Sequence, residues 1–200
     1  MRKGIGISCI ILGILCLLIA IGCVFYNHYE ASKGEETSQA LLQIVQTSIR
    51  EAVSQESPVQ DIPESVVQEM PTLPVGNDSC IGILSIPVLE LELPVLTDWS
   101  YAKLKTAPCH YYGSCYTTDF VIAAHNYPAH FGRLSQLQAG DLIIFTDAGG
   151  TAHCYEVALL ETLPPTAIQE MISCGFDLSL YTCTPGGSNR VTVRCTKIND

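Results

Sequence analysis

The sequence predicts a mainly β protein: a closed or sandwiched barrel of about seven or eight strands with short helices, carried behind one N-terminal transmembrane helix. Three observations predict it. An uncharged apolar run extends from Gly4 to Tyr26; a stretch with helical spacing and then clustered prolines follows; and from residue 79 onward short apolar runs alternate with turn signals. The 200 residues, 48% of them hydrophobic, suit one globular domain plus an extra segment.

The apolar run comes first. At ~1.5 Å per residue a helix over residues 4–26 spans a hydrocarbon core of ~30 Å. A cleaved secretory signal also begins with basic residues, here Arg2 and Lys3, but its apolar core is only ~7–15 residues long and ends at a small-residue cleavage site. Neither property is evident, so the run reads as a retained anchor. The two basic residues favour a cytoplasmic N-terminus and an exported remainder.

Residues 27–78 read as a stalk. Leu41, Leu42, Val45, Ile49 and Val53 follow helical spacing and predict an amphipathic helix. The segment "SPVQDIPESVVQEMPTLPVGN" with its four prolines then predicts an extended linker. The expected division is therefore 1–26 cytoplasmic tip and anchor, 27–78 helix and linker, and 79–200 β domain.

Within the β domain, "IGILSI" (81–86) and "VLELELPV" (88–95) predict the first strands, the second setting Leu89, Leu91 and Leu93 against Glu90 and Glu92. Further strands are expected at 119–124, 141–147, the run ending "HCYEVALLETL", 177–183 and 190–198. Short helices fit between them: one capped by Asp98, one carrying Phe131, Leu134 and Leu137, and one after Pro164-Pro165.

Charge and cysteine content narrow the function. Ten Lys and Arg against twenty Asp and Glu give a net charge of −10. The few basic residues are scattered, so neither nucleic acid nor an anionic membrane surface is an expected partner. Of ten cysteines, Cys9, Cys16 and Cys23 recur every seven residues in the anchor, where small apolar filler is the plain reading. Seven remain outside, an odd number that leaves at least one thiol free or paired between chains. At most one or two disulfides are expected, with Cys109 and Cys115 the nearest pair in sequence. No CxxC or HxxxH-type spacing points to zinc, and acidic residues in 161–177 are too sparse for calcium. No metal and no cofactor are expected.

The stretch "LSLYTCTPGGSNRVTVRC" (178–195) carries the chemistry. Cysteine catalysis needs a thiolate, and a thiolate at neutral pH needs a cationic neighbour, since a free thiol titrates near ~8.5. Cys183 ends one apolar run, and Arg190 opens the next after a Pro-Gly-Gly turn, so an antiparallel return brings them together. His125 ends the run "FVIAAH", where its side chain would emerge at a sheet rim. A strand-end cysteine is also what a buried hydrophobe or a half-disulfide looks like, and a lone histidine is often a structural residue.

These residues resemble the sortases, membrane-anchored cysteine transpeptidases of the bacterial cell surface. The likeness covers about residues 80–198. "IGILSIPVLELELPV" resembles the family's opening strands, "FVIAAHNYPAHFGRLSQLQAGDLIIF" its histidine segment, and "LSLYTC" with the arginine strand its cysteine signature. Ser179 stands where that signature has threonine, and Ala124 where a glycine is frequent. The resemblance implies a sortase-type β-barrel with Cys183 as nucleophile, His125 as acid/base partner and Arg190 as stabiliser of substrate and oxyanion. It also implies an exported substrate with a Leu-Pro-x-Thr-Gly-like C-terminal sorting signal, and an amine acceptor from a cell-wall precursor or a pilin lysine. An N-terminal anchor in the cell membrane with the catalytic domain outside fits that task. Residues 57–78 lack the Asp-Pro-aromatic lid usual in pilin-polymerising members, and "TDWS" (97–100) falls after the second strand, so protein anchoring is favoured over pilus assembly. A membrane-tethered cysteine hydrolase and a non-catalytic, disulfide-containing interaction module are the alternatives.

Overall fold

Helix α1 runs unbroken from Arg2 to Gln55 in the computed structural model, which describes residues 2–55 and 69–198. The expected anchor and the amphipathic stretch are thus one rod, because no proline lies between them to end the helix. Side chains from Cys9 to Tyr29 are exposed, and this part is long and apolar enough to cross a membrane. Farther along, Gly34, Ser38, Leu42, Val45 and Ile49 form a buried stripe at spacings of three and four. Leu42, Val45 and Ile49 pack on Val75, Cys80 and Ile83. Most of the expected linker, residues 56–68, lies outside the described residues. Its end is not extended chain but strand β1, Leu73–Val75, paired with the next strand.

The barrel follows: β2 (Asp78–Ile86), β3 (Leu91–Leu96), α2 (Tyr101–Leu104), β4 (Cys109–Tyr112), β5 (Phe120–Ala123), β6 (Leu142–Asp147), β7 (Ala152–Leu163), α3 (Ile168–Ile172), β8 (Leu178–Cys183) and β9 (Arg190–Lys197). The order is β1-β2-β3-β4-β5-β8-β9-β7-β6, and a further β2–β6 pairing closes the ring. Eight strands make the closed barrel and β1 hangs on its outside, in agreement with the expected seven or eight. Closure removes the free edges of the sheet.

The alternation read from "VLELELPV" holds in burial, with Leu89, Leu91 and Leu93 buried and Glu90 and Glu92 exposed. Leu89 itself lies in a 3₁₀ turn, Pro87–Leu89, ended by Glu90 in the left-handed region. Strand β4 is not legible in the sequence, because its four residues are too few to show a period. Helix α2 is capped by Ser100, whose hydroxyl accepts from Lys103 N–H at 3.1 Å, so the cap lies two residues later than Asp98. The expected helix through Phe131, Leu134 and Leu137 is a loop with a 3₁₀ turn, Leu134–Gln136, that still buries all three. Inside the barrel Phe120 meets Phe145 edge-on at 5.0 Å, with Leu84, Leu93, Leu180 and Val193 around them.

All ten cysteines are free thiols, and the expected Cys109–Cys115 bond is not formed. Sequence proximity misleads here because the two side chains face different clusters: Cys109 packs with Leu96 and Ala107, whereas Cys115 enters the main core. Burial pushes both thiols up to about 12.

Gly34 explains how α1 can lie so close to the barrel. A Cβ there would stand 2.6 Å from the Lys105 carbonyl oxygen and 3.1 Å from the Tyr127 ring. Gly34→Leu is therefore expected to lever α1 off the barrel, at a cost of about 1–3 kcal/mol. A thermal melt of the full chain in detergent should show the lowered midpoint; an unchanged melt would mean that the helix rests there loosely.

Candidate active site

Strands β5 and β8 run parallel, pairing Phe120 with Leu178 through Ala123 with Tyr181. Beyond the strand, Ala124 N–H donates to the Tyr181 carbonyl at 3.2 Å, and the Thr182 hydroxyl donates to the Ala124 carbonyl at 2.8 Å. The same register, an offset of 181 − 123 = 58 residues, sets His125 level with Cys183 (183 − 125 = 58). On its other side β8 pairs antiparallel with β9, and Cys183 is the register partner of Arg190. One barrel rim thus carries all three expected residues.

The turn joining β8 to β9 is tight. Thr184 N–H donates to the Asn189 carbonyl at 2.9 Å and Gly187 N–H to the Thr184 carbonyl at 2.8 Å. Gly186 and Gly187 have φ of 82° and 76°, a left-handed backbone that glycine adopts without steric cost. The Pro-Gly-Gly sequence thereby returns the chain to place Arg190 opposite the cysteine.

Cys183 is half-buried and lines a groove together with Arg190. One wall is aromatic: Trp99 stands 5.5 Å from Tyr111, which meets Tyr181 edge-on at 5.4 Å. The other wall is Pro164, Ala167, Ile168 and Met171, from α3 and the turn before it. The buried Arg194 braces that wall, donating to the Glu170 carbonyl at 2.6 Å and to Ser179 Oγ at 2.8 Å and pairing with Glu161 at 2.7 Å. None of these wall residues was singled out as functional from sequence. Trp99 follows the second strand in sequence, yet folding returns it to the groove.

No hydrogen bond joins the three expected side chains to one another. Arg190 Nη1 donates to the carbonyls of Gly187 and Asn189 at 3.1 and 3.0 Å. His125 holds Asn126 Oδ1 at 2.9 Å through Nδ1 and stacks on Tyr127 at 4.1 Å. Its ring opens on a recess shared with Asn27, His28, Glu30 and Ala31 of α1. Burial lowers its pKa, partly offset by the Asn126 hydrogen bond, so the neutral imidazole prevails at rest. Chemically, the rim offers a thiol, a base and a five-donor cation beside an apolar groove, which suits acyl transfer.

A second Cys/His/Asp grouping exists: Cys115, His153 and Asp147, all buried. It lies near Lys197, at the other end of β9 from Arg190, and lines no groove shared with Cys183.

A protein-family model described as the sortase domain matches residues 84–198. Among solved structures, sortase C1 from Streptococcus suis is 28% identical, with 60% of this chain and 74% of that chain covered and a TM-score of 0.53. Sortase C-1 from Streptococcus pneumoniae is 26% identical, covering 60% and 68%, with a TM-score of 0.54. Sortase A from Corynebacterium diphtheriae, at 19% identity, shares the fold over 86% of this chain and 94% of its own, with a TM-score of 0.55. No curated protein sequence matches the chain.

The loop bearing His125 also carries a pH signature. His130 is fully buried against the Gly34 backbone of α1, whose contact draws its pKa upward but less than the opposing effects. Burial, then the charge of His125, hold its pKa down at about 4 against an ordinary 6.5. Between those values the unfolded chain binds a proton that the folded chain refuses. Stability is therefore complete above pH 6.5 and is lost as the pH falls toward 4, by about 3 kcal/mol from this group. His130→Leu should remove that part of the acid loss, seen as a smaller difference between melting temperatures at pH 7 and pH 4.5. An unchanged difference would assign the acid sensitivity to other groups.

Proposed function

The chain belongs to the sortase family, and from that premise we propose that this cysteine transpeptidase cleaves a Leu-Pro-x-Thr-Gly-like C-terminal sorting signal and passes the acyl group to an amine. The observation that carries the reading is the shared rim, where Cys183 and Arg190 are register partners and His125 stands level with both.

In this reading Cys183 is the nucleophile. As thiolate it attacks the peptide carbonyl at the signal's threonine, and the carbonyl oxygen gains negative charge. Arg190, swung from its own turn, donates to that oxygen. His125, having taken the thiol proton, gives it to the departing amine, and a thioester remains. An incoming amine attacks the thioester, His125 accepts its proton, and the thiol is restored. The apolar walls keep water scarce, which favours the amine over hydrolysis. Residues 79–200 act as the catalytic domain, and residues 1–26 hold it at the membrane with the N-terminus inside. The substrates in this reading are exported proteins bearing the signal, and the acceptor is a cell-wall precursor amine or a pilin lysine.

Mass spectrometry of the full chain incubated with sorting-signal peptides and amines tests the reaction. A ligated product is expected; release of acid alone at every amine concentration would mark a hydrolase instead. Cys183→Ala should abolish both cleavage and the thioester without changing the melting temperature, and residual turnover above background would overturn the assignment.

Arg190→Lys separates geometry from charge. It keeps the cation but loses the planar fork, and should lower turnover by about 100-fold or more, with Arg190→Ala lower still. Near-normal turnover in Arg190→Lys would mean that the turn serves the sheet and not the chemistry.

A further inference from the structure

Cys115, Asp147 and His153 come from three elements: the loop after β4, the end of β6 and the start of β7. They are 1%, 0% and 6% exposed, and their ligating atoms all lie within 4.8 Å of one another. One thiol, one carboxylate and one imidazole form a mixed soft and hard donor set that suits a borderline cation such as Zn²⁺. The sequence hides the group, since 147 − 115 = 32 and 153 − 147 = 6 residues separate its members. The absence of CxxC or HxxxH spacing therefore bears only on local sites.

The surroundings hold these donors in fixed directions. Asp147 Oδ1 accepts the N–H groups of Gly149 and Thr151 at 3.0 and 2.9 Å, and Tyr116 Oη donates to Oδ2 at 2.7 Å. The His153 ring lies between Tyr116, edge-on at 5.4 Å, and Phe145, stacked at 6.3 Å. The donors to Asp147 orient its carboxylate as such partners orient metal ligands in known sites, and the two rings hold the plane of the imidazole. With no cation, burial and the neighbouring Asp147 charge keep the Cys115 thiol protonated.

We propose that Cys115, Asp147 and His153 bind a thiophilic divalent cation of the zinc class, which fastens the loop after β4 to the β6–β7 hairpin. On binding, the sulfur–metal bond forms and the thiol proton leaves to solvent. The 3.1 Å contact between His153 Nε2 and Asp147 Oδ2 gives way to two metal bonds. Thiolate and carboxylate together neutralise the double charge. Lys197, whose Nζ lies 3.4 Å from His153 Nδ1 and 3.3 Å from the Cys115 carbonyl, is exposed and turns to solvent when Nδ1 carries the imidazole proton. The fourth position falls to water or to the Tyr116 phenol. This role goes beyond the transfer reaction and leaves the rim residues untouched.

The test uses the full chain in detergent with Cys183→Ala, so that the groove thiol cannot bind metal. Co²⁺ serves as the spectroscopic probe and Zn²⁺ as its competitor. One equivalent of Co²⁺ should give a thiolate charge-transfer band that Zn²⁺ abolishes. Zn²⁺ at a hundredfold excess over its Kd should raise the melting temperature by about 5 °C or more. Adding Cys115→Ser or His153→Gln should remove both effects. A missing band, a band that survives Cys115→Ser, or a melting temperature indifferent to zinc overturns the proposal. X-ray absorption of the zinc-loaded chain needs neither of those two variants, so it decides the matter even if they fail to fold. One sulfur with nitrogen and oxygen neighbours is expected, and a shell without sulfur or with several sulfurs rules the site out.

Discussion

The site depends on the parallel pairing of β5 with β8. Among the described residues it is the one parallel ladder of any length, β3 and β4 sharing a single parallel bridge. Parallel neighbours end at the same rim, so the residues that follow them emerge side by side. An antiparallel pair would have sent His125 and Cys183 to opposite ends of the barrel. A parallel pair also requires a long crossover, and this one, residues 124–177, includes β6, β7 and α3. The connection demanded by the topology therefore supplies one groove wall, fastened by Arg194. The Thr182 hydroxyl bound to the Ala124 carbonyl carries the register one step past the last paired strand residue.

Much of this was legible where local chemistry and global fold agree. Leu89, Leu91 and Leu93 alternate because one face meets the core, and the Pro-Gly-Gly turn states its geometry in three letters. Arg190 was found through Cys183 because an antiparallel hairpin has a computable return. Other features were silent for physical reasons. Strand β4 has too few residues for a period, and β1 is short and holds a proline. Ser100 outcompetes Asp98 as a cap because the cap is decided by where the backbone turns, not by which residue could serve. Cys109 and Cys115 lie six positions apart yet face different clusters, which a linear spacing cannot express. Trp99 reaches the groove only through the closure of the barrel.

Helix α1 shows a related limit. Glycine inside a helix ordinarily weakens it by ~1 kcal/mol, so Gly34 reads as a defect. In the fold it is the point of closest approach, where backbone of α1 meets the Lys105 carbonyl and the Tyr127 ring. Lys105 also pairs with Glu30 at 2.9 Å, on an exposed surface where such a pair adds little. The apolar stripe from Leu42 to Ile49 does most of the holding, and the loop bearing His125 is packed against the same rod.

That shared rod fixes an elevation. Asn27 to Ala31, which border the His125 recess, follow the apolar run by one to five residues, a rise of ~2–8 Å along a helix. Were the run set in a bilayer, the rim would stand at headgroup height instead of at the end of a long tether. The unbroken helix would then act as a spacer of fixed length, holding the groove at a set distance from the lipid surface.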